Sequence, residues 1–374
     1  MSKDTLQKTQ AKYTPDFTVE ILVGRDVRVL QLTDTQIIDG AQSRPCQAAH
    51  DKITYATPLI KQYCYDYLTE IIQNTQPDLI LLTGDLVYGK YDDNGSALQA
   101  FIAFMDGFET PWAPIFGNHD NESEMGADWQ SAQLEKGKHC LFKQRTLTGN
   151  GNYTIGIKQG GMLKRVFVML DSNGCGYASP ASVANGHTKM SQGFGVDQIA
   201  WYTQEIRTLK ACSPETKISF VFHVQLAAFA DALKKYGFDN EQMEQDIWVN
   251  TDGDFGYIGR KLKSSWDGDY TIYNGIKDLG ADSIFAGHEH CNSVSVVYDG
   301  MRLQYGQKSS EYDRINFMSA ENQVLASYLY KRVGTPLVGG TVIVLSQTDG
   351  NIKDAYIYYC ENAGGKLDWK NILG

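Results

Sequence analysis

The sequence lacks long apolar runs, basic tracts and paired cysteines. None of its 374 residues lies in a stretch approaching the roughly 18 apolar positions that a membrane-spanning helix needs, so a membrane partner is not expected. The formal net charge is −10, and because an acidic surface repels a phosphate backbone, extended nucleic acid is not an expected partner either. A small phosphorylated substrate is compatible with this charge if bound cations attract it locally.

The seven cysteines are scattered, odd in number and without a CxxC pair. This pattern argues against a disulfide framework or a zinc finger and is typical of thiols in a reducing compartment. The N-terminal segment MSKDTLQKTQAKY is polar and lacks the apolar part of a signal peptide. We therefore expect a cytoplasmic location, or a secreted or periplasmic one if a leader has been removed.

Hydrophobic periodicity predicts alternating helices and strands. Apolar or aromatic residues recur on one helical face over 59–76, and Leu79–Leu82 is typical of a fully buried strand. Further strands are predicted at 18–23, 27–32, 112–116, 165–170, 218–222, 283–286, 301–305, 338–345 and 355–359. Further helices are predicted at 96–108, 197–211 and 271–279. The alternation indicates a layered α/β fold.

The organisation of the chain favours a single domain over residues 1–374, since no linker or internal repeat interrupts it. Residues 1–16 are predicted to form a polar arm. The catalytic core is expected at about 25–310, and the strands within 311–374 are expected to complete a second sheet.

Polar residues follow directly after several predicted strands. They lie in the segments Leu32–Gln36, Thr83–Asp85, Phe116–Asp120, Phe222–His223 and Ala286–His290. In open α/β sheets, ligands bind at the carboxyl ends of the strands, and glycines there let the backbone turn sharply and approach a ligand closely. Residues that are distant in sequence are therefore expected to converge on one site.

The residue types in these segments suit a metal centre. They are carboxylates, imidazoles and one amide, without a thiolate, and such donors favour zinc, manganese or iron over a soft-metal site. A carboxylate such as Asp85 has two oxygens and can bridge two cations roughly 3.5–4 Å apart. The sequence shows no P-loop and no GxSxG motif that would indicate a different chemistry.

In their order along the chain, these segments resemble the motifs of the calcineurin-like metallophosphoesterases. The resemblance covers about residues 30–290, and His223–Phe229 with Tyr305-Gly306 is similar to the purple acid phosphatase-like branch. It implies a four-layer α/β/β/α sandwich with two mixed sheets. It also implies hydrolysis of a phosphomonoester or phosphodiester by a hydroxide held on two metal ions.

The resemblance assigns roles to the matched residues. The implied metal ligands are Asp34 and His290 at the first metal, Asp85 as the bridge, and Asn118, His223 and His288 at the second. His119 is implied as the general acid, with Asp120 orienting the loop or the imidazole, and Asn118 is also a candidate contact to substrate. The implied cations are Fe(III), Mn or Zn at the first site and Zn, Mn or Fe at the second.

Two positions near the first metal are unusual. Most of the superfamily has Asp-x-His in the first motif, but here Gln36 replaces the histidine, either as a weaker ligand or as a hydrogen-bonding residue. Tyr88 follows Asp85 by three positions. Purple acid phosphatases have GDxxY and lack the first-motif histidine, so the resemblance implies that Tyr88 is a phenolate ligand to Fe(III). Core packing is the alternative for Tyr88.

Three further expectations concern the surroundings of the site. Glu289 is predicted to be a solvated loop residue. His187 lies in a Gly- and Ser-rich loop over 172–195, whose length is typical of functional loops, so it is a candidate contact to substrate, with a surface excursion as the alternative. Because the first-motif histidine is absent, a catalytically weak scaffold protein of this fold is the alternative to an enzyme. The sequence does not indicate the oligomeric state.

Overall fold

The computed structural model describes residues 13–38, 58–173, 193–263, 270–310, 316–318, 323–325 and 338–360. The strands in these ranges are β1 (Phe17–Ile21), β2 (Val27–Leu32), β3 (Leu79–Thr83), β4 (Trp112–Ile115), β5 (Tyr153–Gln159), β6 (Met162–Met169), β7 (Lys217–Val221), β8 (Glu244–Thr251), β9 (Asp254–Arg260), β10 (Ser283–Ala286), β11 (Asn292–Tyr298), β12 (Met301–Tyr305), β13 (Asn316–Met318), β14 (Gln323–Leu325), β15 (Gly339–Leu345) and β16 (Ile352–Tyr359). The helices are α1 (Pro58–Thr75), α2 (Ser96–Asp106), α3 (Ala127–Leu134), α4 (Val196–Cys212), α5 (Ala227–Lys234) and α6 (Thr271–Asp278).

The strands build two large mixed sheets. One has nine strands in the order β1-β5-β6-β7-β10-β12-β11-β9-β8, and the other has five in the order β16-β15-β2-β3-β4. Strands β6, β7, β10 and β12 are parallel neighbours, as are β2, β3 and β4. Each sheet therefore gathers several carboxyl strand ends at one edge. The expected α/β class with two mixed sheets is confirmed.

The core strands follow from sequence more directly than the edge strands do. The run LILLT of β3 is buried throughout and was predicted as a buried strand. The run EQDIWVNT of β8 is mostly exposed, and its mixed composition gives no period-2 signal. The predictions did not include β5, β8, β9 or β11, each of which pairs with at least one antiparallel neighbour.

The segment after β12 links the two sheets. β12 belongs to the nine-stranded sheet, but the residues that follow it run beside the end of β2 in the five-stranded sheet. Thr33 and Lys308 form an isolated parallel bridge, and the Ser309 amide donates to the Thr33 carbonyl at 3.0 Å. The chain of β12 is thereby carried directly against the first predicted motif.

Arg165 joins the two sheets near the amino ends of the strands. Its guanidinium is fully buried and donates to both carboxylate oxygens of Asp282, at 2.7 and 2.8 Å. Its Nε donates at 3.0 Å to the carbonyl of Gly350, in the turn between β15 and β16. One side chain in β6 of the nine-stranded sheet therefore holds a turn of the five-stranded sheet.

In the described part of the chain, none of the helices combines the length and the apolar composition that crossing a lipid bilayer requires.

We expect Arg165→Ala to lower the free energy of unfolding by about 2 kcal/mol or more, because it removes the buried donor to the Gly350 carbonyl and to the Asp282 carboxylate, which is itself 33% exposed. Arg25 provides a matched control, since it also forms a paired contact with one aspartate, Asp78, but has 46% of its side chain exposed. Arg25→Ala should cost less than about 1 kcal/mol. Urea denaturation followed by tryptophan fluorescence measures both losses, and equal losses would contradict the proposed role of Arg165.

Candidate metal centre

The predicted ligands meet where the carboxyl strand ends of the two sheets face each other. Those that follow strands of the five-stranded sheet are Asp34 after β2, Asp85 after β3 and Asn118 after β4. Those that follow strands of the nine-stranded sheet are His223 after β7, and His288 and His290 after β10. All six side chains are buried. The structure thus brings together residues that the sequence spreads over most of the chain.

The first group of donors consists of Asp34, Asp85 and His290. One potential ligand atom of each residue lies within 4.8 Å of the others. His290 Nε2 is 3.0 Å from Asp34 Oδ1. The second carboxylate oxygen, Asp34 Oδ2, accepts hydrogen bonds from Thr33 Oγ1 and from the backbone amide of His288. These hydrogen bonds fix the carboxylate, so that Oδ1 is directed at the histidine and at the space a cation would take.

The second group is built around His223. Its Nδ1 contacts the Thr83 carbonyl at 2.8 Å, and because a carbonyl only accepts, Nδ1 carries a proton. Its Nε2 faces Asn118 Oδ1 at 3.2 Å and Asp85 Oδ2 at 3.4 Å. Three electron-rich atoms at these distances need a shared proton or cation, and the carbonyl that fixes the tautomer is typical of metal-binding histidines.

The pKa of His223 also indicates that a positive charge is favoured between these atoms. Burial alone would lower the pKa of His223, but the carboxylates of Asp85 and Asp34 outweigh it and raise that pKa to about 9. The raised pKa means that the carboxylates around His223 stabilise a positive charge at this position. A divalent cation among the same oxygen and nitrogen atoms would supply that charge instead.

His288 lies next to His223 and offers one more candidate donor nitrogen. Within the described residues, its buried Nδ1 has no hydrogen-bond partner. Burial and the nearby charge of Lys263 hold the pKa of His288 well below its usual range, so the imidazole is neutral and has a lone pair to donate. Its ring centroid lies 5.1 Å from that of His223. An orphaned, neutral imidazole next to His223 fits a zinc, manganese or iron ion.

Asp85 stands between the two groups. Its Oδ1 accepts a hydrogen bond from the His119 backbone amide at 2.8 Å, and its Oδ2 faces His223. The close packing of the loops requires glycine: a Cβ on Gly117 would lie 2.2 Å from Asp85 Oδ1. Burial alone would raise the pKa of Asp85, but His223 and His119 hold it well below its usual range. The carboxylate is therefore ionised and lies between the two groups of donors.

Several ligand positions have strained backbones. Asp34, Asp85 and His288 are not glycines, yet their φ angles are +51°, +54° and +71°. L-residues seldom adopt this left-handed region, and such conformations persist at functional sites, where the surrounding structure enforces them. The strain indicates that these loops are shaped for the geometry of the site.

His119 lies at the edge of the centre, with 18% of its side chain exposed. Its Nδ1 is 2.7 Å from Glu122 Oε2, which leaves Nε2 as the atom that can pass a proton to a ligand. The Tyr88 ring packs against the imidazole, with 4.3 Å between ring centroids. Glu122 was not predicted from the sequence, although its position three residues after His119 in a helical turn was a usable signal.

Asp120 supports the loops from behind. Its carboxylate accepts hydrogen bonds from the backbone amides of Gly117 at 2.7 Å and Val87 at 3.0 Å. It thereby ties the loop after β4 to the loop after β3. Of the two roles predicted for Asp120, these contacts match orientation of the loop, while Glu122 contacts the imidazole.

Gln36 reaches the first group, but with its nitrogen. Nε2 is 3.3 Å from Asp85 Oδ2 and 3.4 Å from His290 Nε2. Its oxygen, Oε1, accepts a hydrogen bond from Lys308 Nζ at 3.0 Å. Lys308 is buried and was not identified from the sequence, where a single lysine after a strand carries no signal.

The prediction that Glu289 is solvated was wrong. Its side chain is 4% exposed and accepts hydrogen bonds from the Lys263 backbone amide, Gln225 Nε2 and Asn292 Nδ2. Glu289 therefore anchors the loop that carries His288 and His290. His187, the other candidate contact to substrate, lies outside the described residues.

The chain is similar to one protein-family model and to several known proteins. A family model for calcineurin-like phosphoesterases matches residues 27–292. An uncharacterized protein of Schizosaccharomyces pombe is 23% identical over 276 residues, which make up 73% of this chain and 47% of that protein. "Probable inactive purple acid phosphatase 29" of Arabidopsis thaliana is 24% identical over 304 residues, covering 76% of this chain and 72% of that protein. The chain thus spans less than half the length of the yeast relative.

Among solved structures, a dimetal phosphatase from Danio rerio aligns with a TM-score of 0.47 at 10% identity, covering 90% of this chain and 99% of that one. The purple acid phosphatase name of the plant relative supports the branch that the sequence motifs indicated. The family match spans well over half of the chain and contains both groups of donors. This chain therefore belongs to the calcineurin-like phosphoesterase family.

Proposed function

We propose that this protein is a dinuclear metal-dependent phosphoesterase that hydrolyses a small phosphomonoester or phosphodiester. The observation that carries the proposal is the ionised Asp85 carboxylate, which lies between two groups of nitrogen and oxygen donors. Two cations held there would bind the phosphate, neutralise the charge that develops and lower the pKa of a bound water toward neutrality. The remaining steps fall to side chains of this chain.

His119 serves as the general acid in this proposal. Burial alone would lower its pKa, but Asp85 and Glu122 outweigh that effect and raise the pKa of His119 above its usual value. The imidazolium, held through Nδ1 by Glu122, donates its Nε2 proton to the leaving-group oxygen. Asn118 has its Oδ1 directed at His223, so its Nδ2 is left to donate a hydrogen bond to a phosphate oxygen.

The alternative is a cation-binding scaffold without turnover. The observation that favours it is the orientation of Gln36, which presents nitrogen rather than oxygen to the first group of donors. If the first cation is bound weakly, His119 and the second cation would act without it, and turnover would be slow or absent. The plant relative carries the name "Probable inactive purple acid phosphatase 29", which is in line with this alternative.

Asp85→Asn should reduce the bound cations from two per chain to one or none. It should also lower turnover by at least about 100-fold. Losing a residue that only supports a metal ligand costs up to about 100-fold in activity, and losing the ligand itself should cost more. The assay is hydrolysis of p-nitrophenyl phosphate and bis(p-nitrophenyl) phosphate after chelation and reloading with Mn²⁺, Zn²⁺ or iron, with metal content measured in parallel. Asp254→Asn, a buried aspartate of β9, is the matched control. Two bound cations without turnover would favour the scaffold, and no cation binding would contradict both functions.

His119→Asn should slow turnover in proportion to how much the leaving group needs a proton. For an alkyl phosphate the expected loss is about 10²–10⁴-fold, the usual contribution of general acid catalysis. For p-nitrophenyl phosphate it should be much smaller, because nitrophenolate leaves unprotonated. Metal content should not change, since His119 is not a ligand. Equal losses for both substrates would remove His119 from the role of acid.

Tyr88 is proposed as a phenolate ligand when the first site holds Fe(III). Protein loaded with ferric iron should then be coloured by a phenolate-to-iron charge-transfer band, and Tyr88→Phe should abolish the band with the iron still bound. Tyr91→Phe is the control, because its ring lies 5.5 Å from that of Tyr88 and belongs to the same loop. A colourless protein with stoichiometric ferric iron would exclude the ligand role.

A further inference from the structure

A buried lysine stands behind the first group of donors. Lys308 is 1% exposed, and its Nζ donates to the Asp34 backbone carbonyl at 2.8 Å and to Gln36 Oε1 at 3.0 Å. Its position is fixed from the backbone, because it pairs with Thr33 and its carbonyl accepts from the Gly339 amide at 3.2 Å. A cationic side chain is thus built into the wall of a proposed cation site.

The lysine determines which end of the Gln36 amide faces the donors. A lysine ammonium has three N–H donors and no acceptor, so the group it contacts must be an oxygen. The shape of an amide rarely distinguishes its two ends, but the hydrogen-bond partners do. Because Lys308 contacts one end of Gln36, that end is Oε1, and the N–H₂ group is directed away from Lys308.

The other end of the amide gives the same assignment. Asp85 Oδ2 lies 3.3 Å from the second terminal atom of Gln36, and an ionised carboxylate only accepts. An oxygen in that position would face another oxygen, whereas N–H₂ donates a hydrogen bond. Both neighbours therefore select the same orientation.

We propose that Lys308 locks Gln36 with its N–H₂ group toward the cation site, so that Gln36 is a hydrogen-bond donor to the bridging carboxylate and not a metal ligand. An amide nitrogen with two hydrogens has no available lone pair, and cations bind the carbonyl oxygen of this side chain. Lys308 is thus a positioning residue, and it also adds a positive charge beside the first cation. Both effects weaken that site relative to the second one. This inference rests on the proposed dinuclear centre.

A double-mutant cycle in cation binding tests the lock. The full-length chain is freed of metal and titrated with Mn²⁺ by calorimetry, in the wild type, Lys308→Met, Gln36→Met and the double variant. If the lock holds, Lys308→Met removes the neighbour that fixes Oε1, and once a cation binds Asp85 in place of the Gln36 N–H₂ group, the Gln36 carbonyl can rotate and bind the cation. The gain in affinity at the weaker site should then be about tenfold larger with Gln36 present than in the Gln36→Met background, which is about 1.4 kcal/mol of coupling.

Removal of the charge alone predicts a different result. If Gln36 already binds the cation through Oε1, Lys308→Met only removes repulsion, and the gain is the same in both backgrounds. Equal gains would therefore overturn the lock. If the wild type binds no Mn²⁺ at all, the proposed function fails, and that outcome is distinct from a cycle without coupling.

Two further variants protect the test. Ser310→Ala removes another donor to the Asp34 carbonyl, at 3.2 Å, without touching Gln36, and should leave Mn²⁺ affinity within about threefold of the wild type. Lys308→Gln keeps a buried N–H donor for the Asp34 carbonyl and replaces Lys308→Met if that variant does not fold. A neutral amide at this position can accept as well as donate, so the lock predicts that Gln36 is released there too, with the same coupling to Gln36→Met.

Discussion

The arrangement of the site depends on the hydrogen bonds and charges around one carboxylate, Asp85. Its Oδ1 holds the loop after β4 through the His119 amide, and its Oδ2 meets groups from the loops after β2 and β7. The left-handed backbone of Asp85 turns the carboxylate into the space between the sheets. Because Asp85 is buried and ionised, each polar group that contacts it must either donate a hydrogen bond to it or share a cation with it.

Supporting residues around this carboxylate act through the backbone rather than by contact with a ligand. Asp120 accepts from two loop amides, and Glu289 accepts from three donors beneath the loop of His288 and His290. Asp120 satisfies two backbone amides, and Glu289 satisfies one backbone amide and two side-chain amides. The candidate ligands are thus positioned by other buried acidic residues that do not themselves face the space between the donors.

The sequence predicted the parts of the fold that bury apolar runs and the parts of the site that follow them. β3 and β10 are continuous apolar runs, so both their existence and the polar residues after them could be read directly. The supporting groups could not, because burial of a charged residue depends on partners distant in sequence. In the sequence Glu289 resembles a solvated loop residue, but in the structure Gln225 and Asn292 donate hydrogen bonds to it. Lys308 likewise resembles a surface lysine, but the segment after β12 places it beside Thr33.

Each group of donors takes residues from both sheets. Asp34 and Asp85 meet His290 in one group, and Asn118 and Asp85 meet His223 in the other, with His288 next to His223. Cations bound between the two sheets would link them, just as Arg165 links them near the amino ends of the strands. Their binding free energy would add to the cohesion of the two halves, because a ligand that binds only the assembled state stabilises that state. Depletion of metal would then lower the stability of the fold, and with it the amount of folded protein in a cell, as well as any activity.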